Sequence, residues 1–317
     1  MQASSPYRGR LAPSPTGKLH LGVARTALVA WLHARQAGGV LLFRVEDLDG
    51  PRTVVGAAEA LALDLRFLGI DWDEGYAVGE PDDSYLQSRR SVHYLAAIDA
   101  LRHAGLVFGC SCSRREVAEA SRAPHGDLGP IYPGTCRITP KEASRPLSLR
   151  FAMPDQPEPF MDGVYGSVDL SVRDDFVIQR ADGLFSYQLA VVVDDAAMGI
   201  TDVVRGADLL SSTPRQLALY RALKLTPPRF FHVPLVLGMD GQRLAKRHGS
   251  VAIAELRERG ITADQIVGFL AASLGLCPQD TRVSAAELLK YADLRALPQQ
   301  HTKIDPLALT RAYQAEP

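Results

Sequence analysis

The sequence predicts an α/β protein built on a parallel sheet, with an insertion in its middle and a small helical piece at its end. Three observations predict it. The first third alternates short apolar runs with helix-period segments, the pattern of β–α–β units. Between about residues 105 and 185 glycine, proline and short strand candidates replace that alternation. From residue 251 onward the pattern is helical and carries capping signals.

Each element has its own reason. Residues 7–12 form a short strand candidate, and Pro13-Ser14-Pro15-Thr16-Gly17 must turn, because two prolines and a glycine exclude regular structure. Residues 20–36 read as a helix with Leu21, Ala24, Leu28, Trp31 and Leu32 on one face, ended by Gly38-Gly39. Residues 40–45 are a buried-strand run. Asp49-Gly50-Pro51 turns the chain, and Thr53 is the expected cap of a helix running to about Leu68. Residues 189–193 are apolar, Thr213-Pro214 opens a helix with cap and first-turn proline, and residues 230–237 make another strand. Thr262 caps one C-terminal segment, and Ser284-Ala-Ala-Glu287 is a capping box for another.

Composition excludes several classes. Of 317 residues, 46% are hydrophobic and 22% charged, enough apolar surface to exclude a wholly disordered chain. The formal net charge is -1, so bulk charge does not coat nucleic acid, and any RNA contact needs a local patch. No apolar run approaches the ~20 residues that span a bilayer. Met1-Gln2-Ala3-Ser4-Ser5-Pro6 lacks the pattern of a signal peptide, so a cytoplasmic protein with no membrane partner is expected. Four cysteines are too few for a disulfide scaffold. Three of them, Cys110, Cys112 and Cys136, cluster in the middle stretch, and Cys277 stands apart.

Three motifs carry chemistry. The strand, turn and helix start around Pro13–Gly22 offer unpaired backbone N–H groups and the positive end of a helix dipole, which suit a phosphate. His20 can donate to a phosphate oxygen, and Gly22 leaves room for a flat ring. The same residues also suit an ordinary tight turn. Arg243, Lys246, Arg247 and His248 form a basic loop able to neutralise a breaking triphosphate, or a solvated basic turn. Cys110, Cys112 and Cys136 can hold a zinc ion, with His125 the obvious fourth ligand on chemistry alone, or can be buried free thiols.

The first two motifs resemble, in order, the HIGH and KMSKS motifs of class I aminoacyl-tRNA synthetases. Arg10-Leu11-Ala12-Pro13-Ser14-Pro-Thr-Gly17, Phe43-Arg-Val-Glu-Asp-Leu-Asp49 and Tyr187-Gln-Leu-Ala-Val-Val-Val-Asp-Asp195 resemble the glutamyl-tRNA synthetase core. So does Gly199-Ile-Thr-Asp-Val-Val-Arg-Gly-Ala-Asp208, followed by Thr213-Pro-Arg-Gln216, and the resemblance covers about residues 7–250. It implies a class I aminoacyl-tRNA synthetase Rossmann-like catalytic domain over 1–250, with a zinc-containing insertion near 105–185, and a small helical C-terminal subdomain over 251–317. Two positions depart from the family's KMSKS pattern: Arg243 stands for its usual lysine and Ala245 for a small hydroxyl residue.

The resemblance also implies roles. Arg10, Leu11, Ala12, Pro13, Ser14, Glu46, Tyr187 and Arg205 bind glutamate. Arg10 and Arg205 take its carboxylates and Glu46 its ammonium. His20, Gly22, Arg243 and Lys246 bind ATP, which comes with Mg²⁺, and His20 and Lys246 are catalytic. The Cys110, Cys112, Tyr132 and Cys136 pattern resembles the zinc site of glutamyl-queuosine tRNA(Asp) synthetases, in which the tyrosine is a ligand. Residues 251–317 are too few for a large anticodon-binding region. The implied activity is therefore ATP-dependent activation of glutamate and its transfer to queuosine in tRNA(Asp). Two rivals remain, a truncated glutamyl-tRNA synthetase that charges a tRNA 3′ end and a catalytically silent RNA-binding paralogue.

Overall fold

A computed structural model of the chain describes residues 6–79, 82–113, 115–117, 132–139, 146–154, 159–170, 174–242, 251–305 and 309. The central layer starts with β1 (Arg8–Leu11), α1 (Leu21–Gln36), β2 (Val40–Phe43), α2 (Ala57–Phe67) and β3 (Glu74–Gly75). These strands pair in parallel, with Arg10 opposite Leu42 and Leu42 opposite Glu74. Beyond α3 (Ser91–His103), β4 (Val107–Cys110), α4 (Thr135–Ile138), β5 (Ser148–Phe151), β6 (Phe160–Asp162), β7 (Gly166–Val168) and β8 (Phe176–Gln179), the chain returns through α5 (Tyr187–Ala197). It continues with β9 (Asp202–Gly206), α6 (Thr213–Ala222), β10 (Arg229–Val233) and β11 (Val236–Leu237). The end is α7 (Ile253–Glu258), α8 (Ala263–Ala272), α9 (Ala285–Leu288) and β12 (Thr302–Lys303).

Strand β9 pairs in parallel with β10, and β10 with β6. β1 lies alongside β9: Thr201 N donates to Arg8 O (2.9 Å), and Arg8 N donates to Thr201 Oγ1 (2.8 Å). Side chains alternate across each strand and divide the core in two. Leu41, Phe43 and Val204 join α1 and the C-terminal helices on one face. Leu42, Val203 and Phe230 join α3, α5 and α6 on the other. By the same alternation Arg44, Arg205 and His232 fall on the α5 face, and Arg10 reaches Asp195 of α5.

Some expectations shift. Thr53 does not cap α2. Its N–H and hydroxyl turn back onto Gly50 O and Asp49 O, closing a 3₁₀ turn, and α2 starts after Gly56, held at φ 77°. Thr213 is the first residue of α6 rather than its cap, and its hydroxyl serves Arg205 instead. Residues 189–193 lie inside α5, and the 230–237 strand breaks at Pro234 into β10 and β11. The 105–185 stretch feeds two sheets. β4, β5 and β8 make a separate antiparallel one, whereas the β6–β7 hairpin extends the central layer. The capping boxes at Thr262 and Ser284 form as expected. Among the described residues no helix is long and apolar enough to cross a membrane.

Candidate active site

The carboxyl ends of parallel strands, where an open α/β sheet binds its ligands, gather the expected charged residues. Arg10 of β1 is buried, donates to Val204 O (3.0 Å) and stands 3.5 Å from Asp195. Arg44, one residue past β2, bridges Asp195 (2.7 Å) and Glu46 (3.1 Å) and lies 4.0 Å from Asp194. A cation this deep is tolerated because three carboxylates face it. Burial works against its charge, but Asp195, Glu46 and Asp194 more than restore it. Burial lifts the Glu46 carboxyl above the usual range, while Arg44 and Arg10 pull it back. Asp194 is spoken for by Arg90 (2.6 Å), Gln87 (2.7 Å) and Tyr94 (2.8 Å).

Arg205 of β9 is 4% exposed, and burial lowers its pKa. Tyr187, at the start of α5 behind the Ser186 cap, faces it, and burial raises the phenol's pKa. Arg10, Glu46, Tyr187 and Arg205 thus meet in one place, although they come from four separate stretches of sequence. Leu11 ends β1, and its carbonyl accepts from Arg44 N (2.9 Å). Ala12 and Pro13 lead into the turn, where Pro13 O accepts from Glu46 N (3.1 Å) and so ties the turn to the carboxylate. Ser14 is exposed at its mouth.

The nucleotide residues follow directly. His20 is the N-cap residue of α1, in extended conformation, and pairs with Ala252 in an antiparallel bridge. Ile253 N donates to Leu19 O (2.9 Å). Among the described residues, and apart from its chain neighbours and its own helix backbone, nothing lies within 4 Å of the point where a Cβ on Gly22 would sit. Arg243 and Lys246 lie outside the described residues, as do Ala245, Arg247 and His248. The chain entering that loop is set by a turn in which Gly238 N donates to Gln242 O (2.8 Å), and the chain leaving it is pinned against His20.

The cysteines converge as well. The Sγ atoms of Cys110, Cys112 and Cys136 all lie within 4.8 Å of one another, and Cys112 and Cys136 are 3.6 Å apart. Thiolates around a tetrahedral zinc stand about 3.8 Å apart, so this trio can hold a metal. Tyr132 Oη sits in the same cluster, 3.5 Å from Cys110 Sγ and 2.7 Å from Cys136 N, which donates to it. Burial pushes the Cys112 thiol up to about 11. For Cys136 burial acts the same way, but hydrogen bonds led by Tyr132 pull it down to about 7. Arg150 stacks 3.8 Å over the Tyr132 ring and fixes it. His125 lies outside the described residues.

Motif reading gave Arg44, Asp194 and Asp195 no role, although they lie inside the quoted segments, and missed Asp162 and His232. Each leaves a trace: a charge or imidazole set inside an otherwise apolar run, as in Val-Leu-Leu-Phe-Arg-Val and Phe-Phe-His-Val, needs a buried partner.

Fold and site together define the catalytic domain of a class I tRNA synthetase. The profile of "tRNA synthetases class I (E and Q), catalytic domain" matches residues 7–309. A glutamate tRNA ligase from Elizabethkingia meningosepticum, solved in complex with its amino acid, superposes with a TM-score of 0.81 at 27% identity, covering 97% of this chain and 68% of that one. Proteins named glutamyl-Q tRNA(Asp) synthetase from Symbiobacterium thermophilum and Nitratidesulfovibrio vulgaris are 49% and 51% identical. The first match covers 93% of this chain and 95% of the relative, the second 86% and 87%. The chain belongs to this synthetase family, on the branch of the glutamyl-Q tRNA(Asp) synthetases, and is a ligase of that class.

Proposed function

We propose that the chain activates L-glutamate with ATP, without tRNA, and transfers it to the cyclopentenediol of queuosine at the wobble position of tRNA(Asp). One observation carries the amino-acid half: Arg10 and Arg205 meet Glu46 and Tyr187 in a buried site, and among the described residues Arg205 has no carboxylate within 4.0 Å. Glutamate brings two carboxylates and one ammonium, the complementary set. A glutamate carboxylate oxygen attacks the α-phosphorus of ATP, and pyrophosphate leaves. The queuosine hydroxyl then attacks the carbonyl of the mixed anhydride, and AMP leaves. No protein nucleophile is needed, so the residues act by placing groups and meeting charge. In this reading His20 and the turn before it hold the phosphates, Gly22 admits the adenine ring, and Mg²⁺ accompanies ATP. The acceptor half rests on the names of the relatives. The division into a catalytic domain over 1–250 and a helical piece after it, and a cytoplasmic location, belong to the same reading.

The test supplies labelled glutamate and tRNA(Asp) with and without queuosine. Glutamate is expected on the modified tRNA alone. Efficient glutamylation of the queuosine-free tRNA at its 3′ end would replace this reading with that of a 3′-charging synthetase.

The reading includes one zinc ion per chain. Three thiolates and a phenolate fit zinc's tetrahedral preference, and such a site braces the local fold rather than the chemistry. Elemental analysis of protein prepared without chelators should find zinc at one per chain. Tyr132→Phe should lower its retention, and Cys277→Ser should not. If Tyr132→Phe keeps the metal and His125→Ala loses it, the fourth ligand is the histidine.

A further inference from the structure

Arg205 is held in an unusual way. Its Nε donates to His232 Nε2 (3.0 Å), Nη1 to Gln216 Oε1 (2.7 Å), and Nη2 to Thr213 Oγ1 (2.8 Å) and Leu209 O (3.4 Å). Every one of these acceptors is neutral. Among the described residues no carboxylate stands within 4.0 Å of this guanidinium, whereas Arg44 touches two and Arg90 touches one. The imidazole is the unusual member of the set. A guanidinium nitrogen always donates, so His232 Nε2 must accept, and the ring proton must sit on Nδ1. That proton points to Asp162 Oδ2 (2.6 Å). Asp162 Oδ1 in turn accepts from Val164 N and Tyr165 N, both at 2.9 Å. All three residues are buried, and they come from three neighbouring strands: β6, β10 and β9. Burial disfavours a charged His232. The Asp162 carboxyl, despite its own burial, is kept below the usual range by the imidazole's hydrogen bond.

We propose that His232, with its tautomer fixed by Asp162, positions Arg205 through a neutral acceptor and so leaves the guanidinium charge free to meet the side-chain carboxylate of glutamate in preference to the amide of glutamine. The proposal rests on the glutamate reading above. An acid in place of His232 would hold Arg205 as firmly but would cancel its charge. A neutral acceptor holds the fork in place while the substrate supplies the counter-ion. Asp162 is one residue removed, so its charge fixes the ring rather than pairing with the arginine.

The experiment measures glutamate-dependent ATP–pyrophosphate exchange. His232→Leu should raise KM for glutamate about tenfold to a hundredfold, the usual range for a lost hydrogen bond to a charged group, with KM for ATP unchanged. His232→Gln, which can present a carbonyl oxygen, should recover most of the loss. His232→Glu should lower the preference for glutamate over glutamine more than His232→Leu does. Nitrogen NMR should show a neutral His232 protonated on Nδ1. An unchanged glutamate KM in His232→Leu, equal loss of glutamate and ATP affinity in the Leu and Gln variants, or a ring protonated on Nε2 would each overturn the proposal. Wild-type exchange that does not depend on glutamate would instead overturn the glutamate reading, before any variant is compared.

Discussion

Arg44→Met is expected to destabilise the protein by about 3–5 kcal/mol, the usual consequence of removing one partner from a buried ion cluster. Arg44 is fully buried between Asp195 and Glu46, with Asp194 close by. Methionine fills the space but leaves carboxylates without their counter-charge. Arg10 lies 3.5 Å from Asp195 and makes up part of the deficit. Asp194 keeps Arg90, Gln87 and Tyr94, so the deficit falls on Glu46 and Asp195. The sign with pH follows. Glu46 already sits above the usual carboxylate range through burial. Without Arg44 it rises further above its unfolded value, so the variant's stability is greatest in acid and falls as pH climbs through the raised value. The gap between wild type and variant should therefore widen from about pH 4 towards pH 7. Denaturant melts at both pH values measure it, and coincident melts at neutral pH would show that the cluster is not held by Arg44. Arg44→Lys should fall between the two, because one ammonium cannot span Asp195 and Glu46 as the guanidinium fork does.

Residues close together in the sequence with strong local chemistry were readable, and residues that meet only through the sheet were not. The turn of Pro13 to Gly17, the helix after His20, the strand from Val40 and the boxes at Thr262 and Ser284 follow from local rules, and the structure shows them. Thr53 failed because it closes the 3₁₀ turn begun at Asp49, and the left-handed Gly56, three residues on, opens the helix without a side-chain cap. The β6–β7 hairpin looked like part of an insertion because nothing local says that Asp162 will lie opposite Phe230. Its place beside β10 is what lets Asp162 reach His232. Arg10, Glu46, Tyr187 and Arg205 were found through resemblance to a family. Their convergence depends on parallel register, which the spacing along the chain does not reveal. The thiols of Cys110, Cys112 and Cys136 were visible as a cluster, and the structure brings the Tyr132 hydroxyl beside them.

Lys246→Ala is expected to slow pyrophosphate exchange by about 10²–10³-fold, equivalent to about 2.7–4 kcal/mol of transition-state stabilisation. The bond that breaks leaves charge on the departing pyrophosphate, and that charge is fully developed only late in the reaction. A cation facing it therefore stabilises the transition state more than bound ATP, so the rate should fall further than ATP affinity. The anchoring of the neighbouring chain supports this role. Ala252, just past the basic loop, pairs with His20 at the start of α1, and Ile253 N is bonded to Leu19 O. The residue leaving the loop is thereby tied to the helix start where the phosphates are proposed to lie. Arg243 keeps a positive charge where the family has lysine, but a planar fork cannot replace a compact ammonium at a single oxygen. Arg243→Ala should accordingly cost less rate than Lys246→Ala. Exchange kinetics at saturating glutamate, with ATP varied, separate the two effects. An unchanged rate in Lys246→Ala, with a large loss in Arg243→Ala or Arg247→Ala, would move the charge-stabilising role to that arginine.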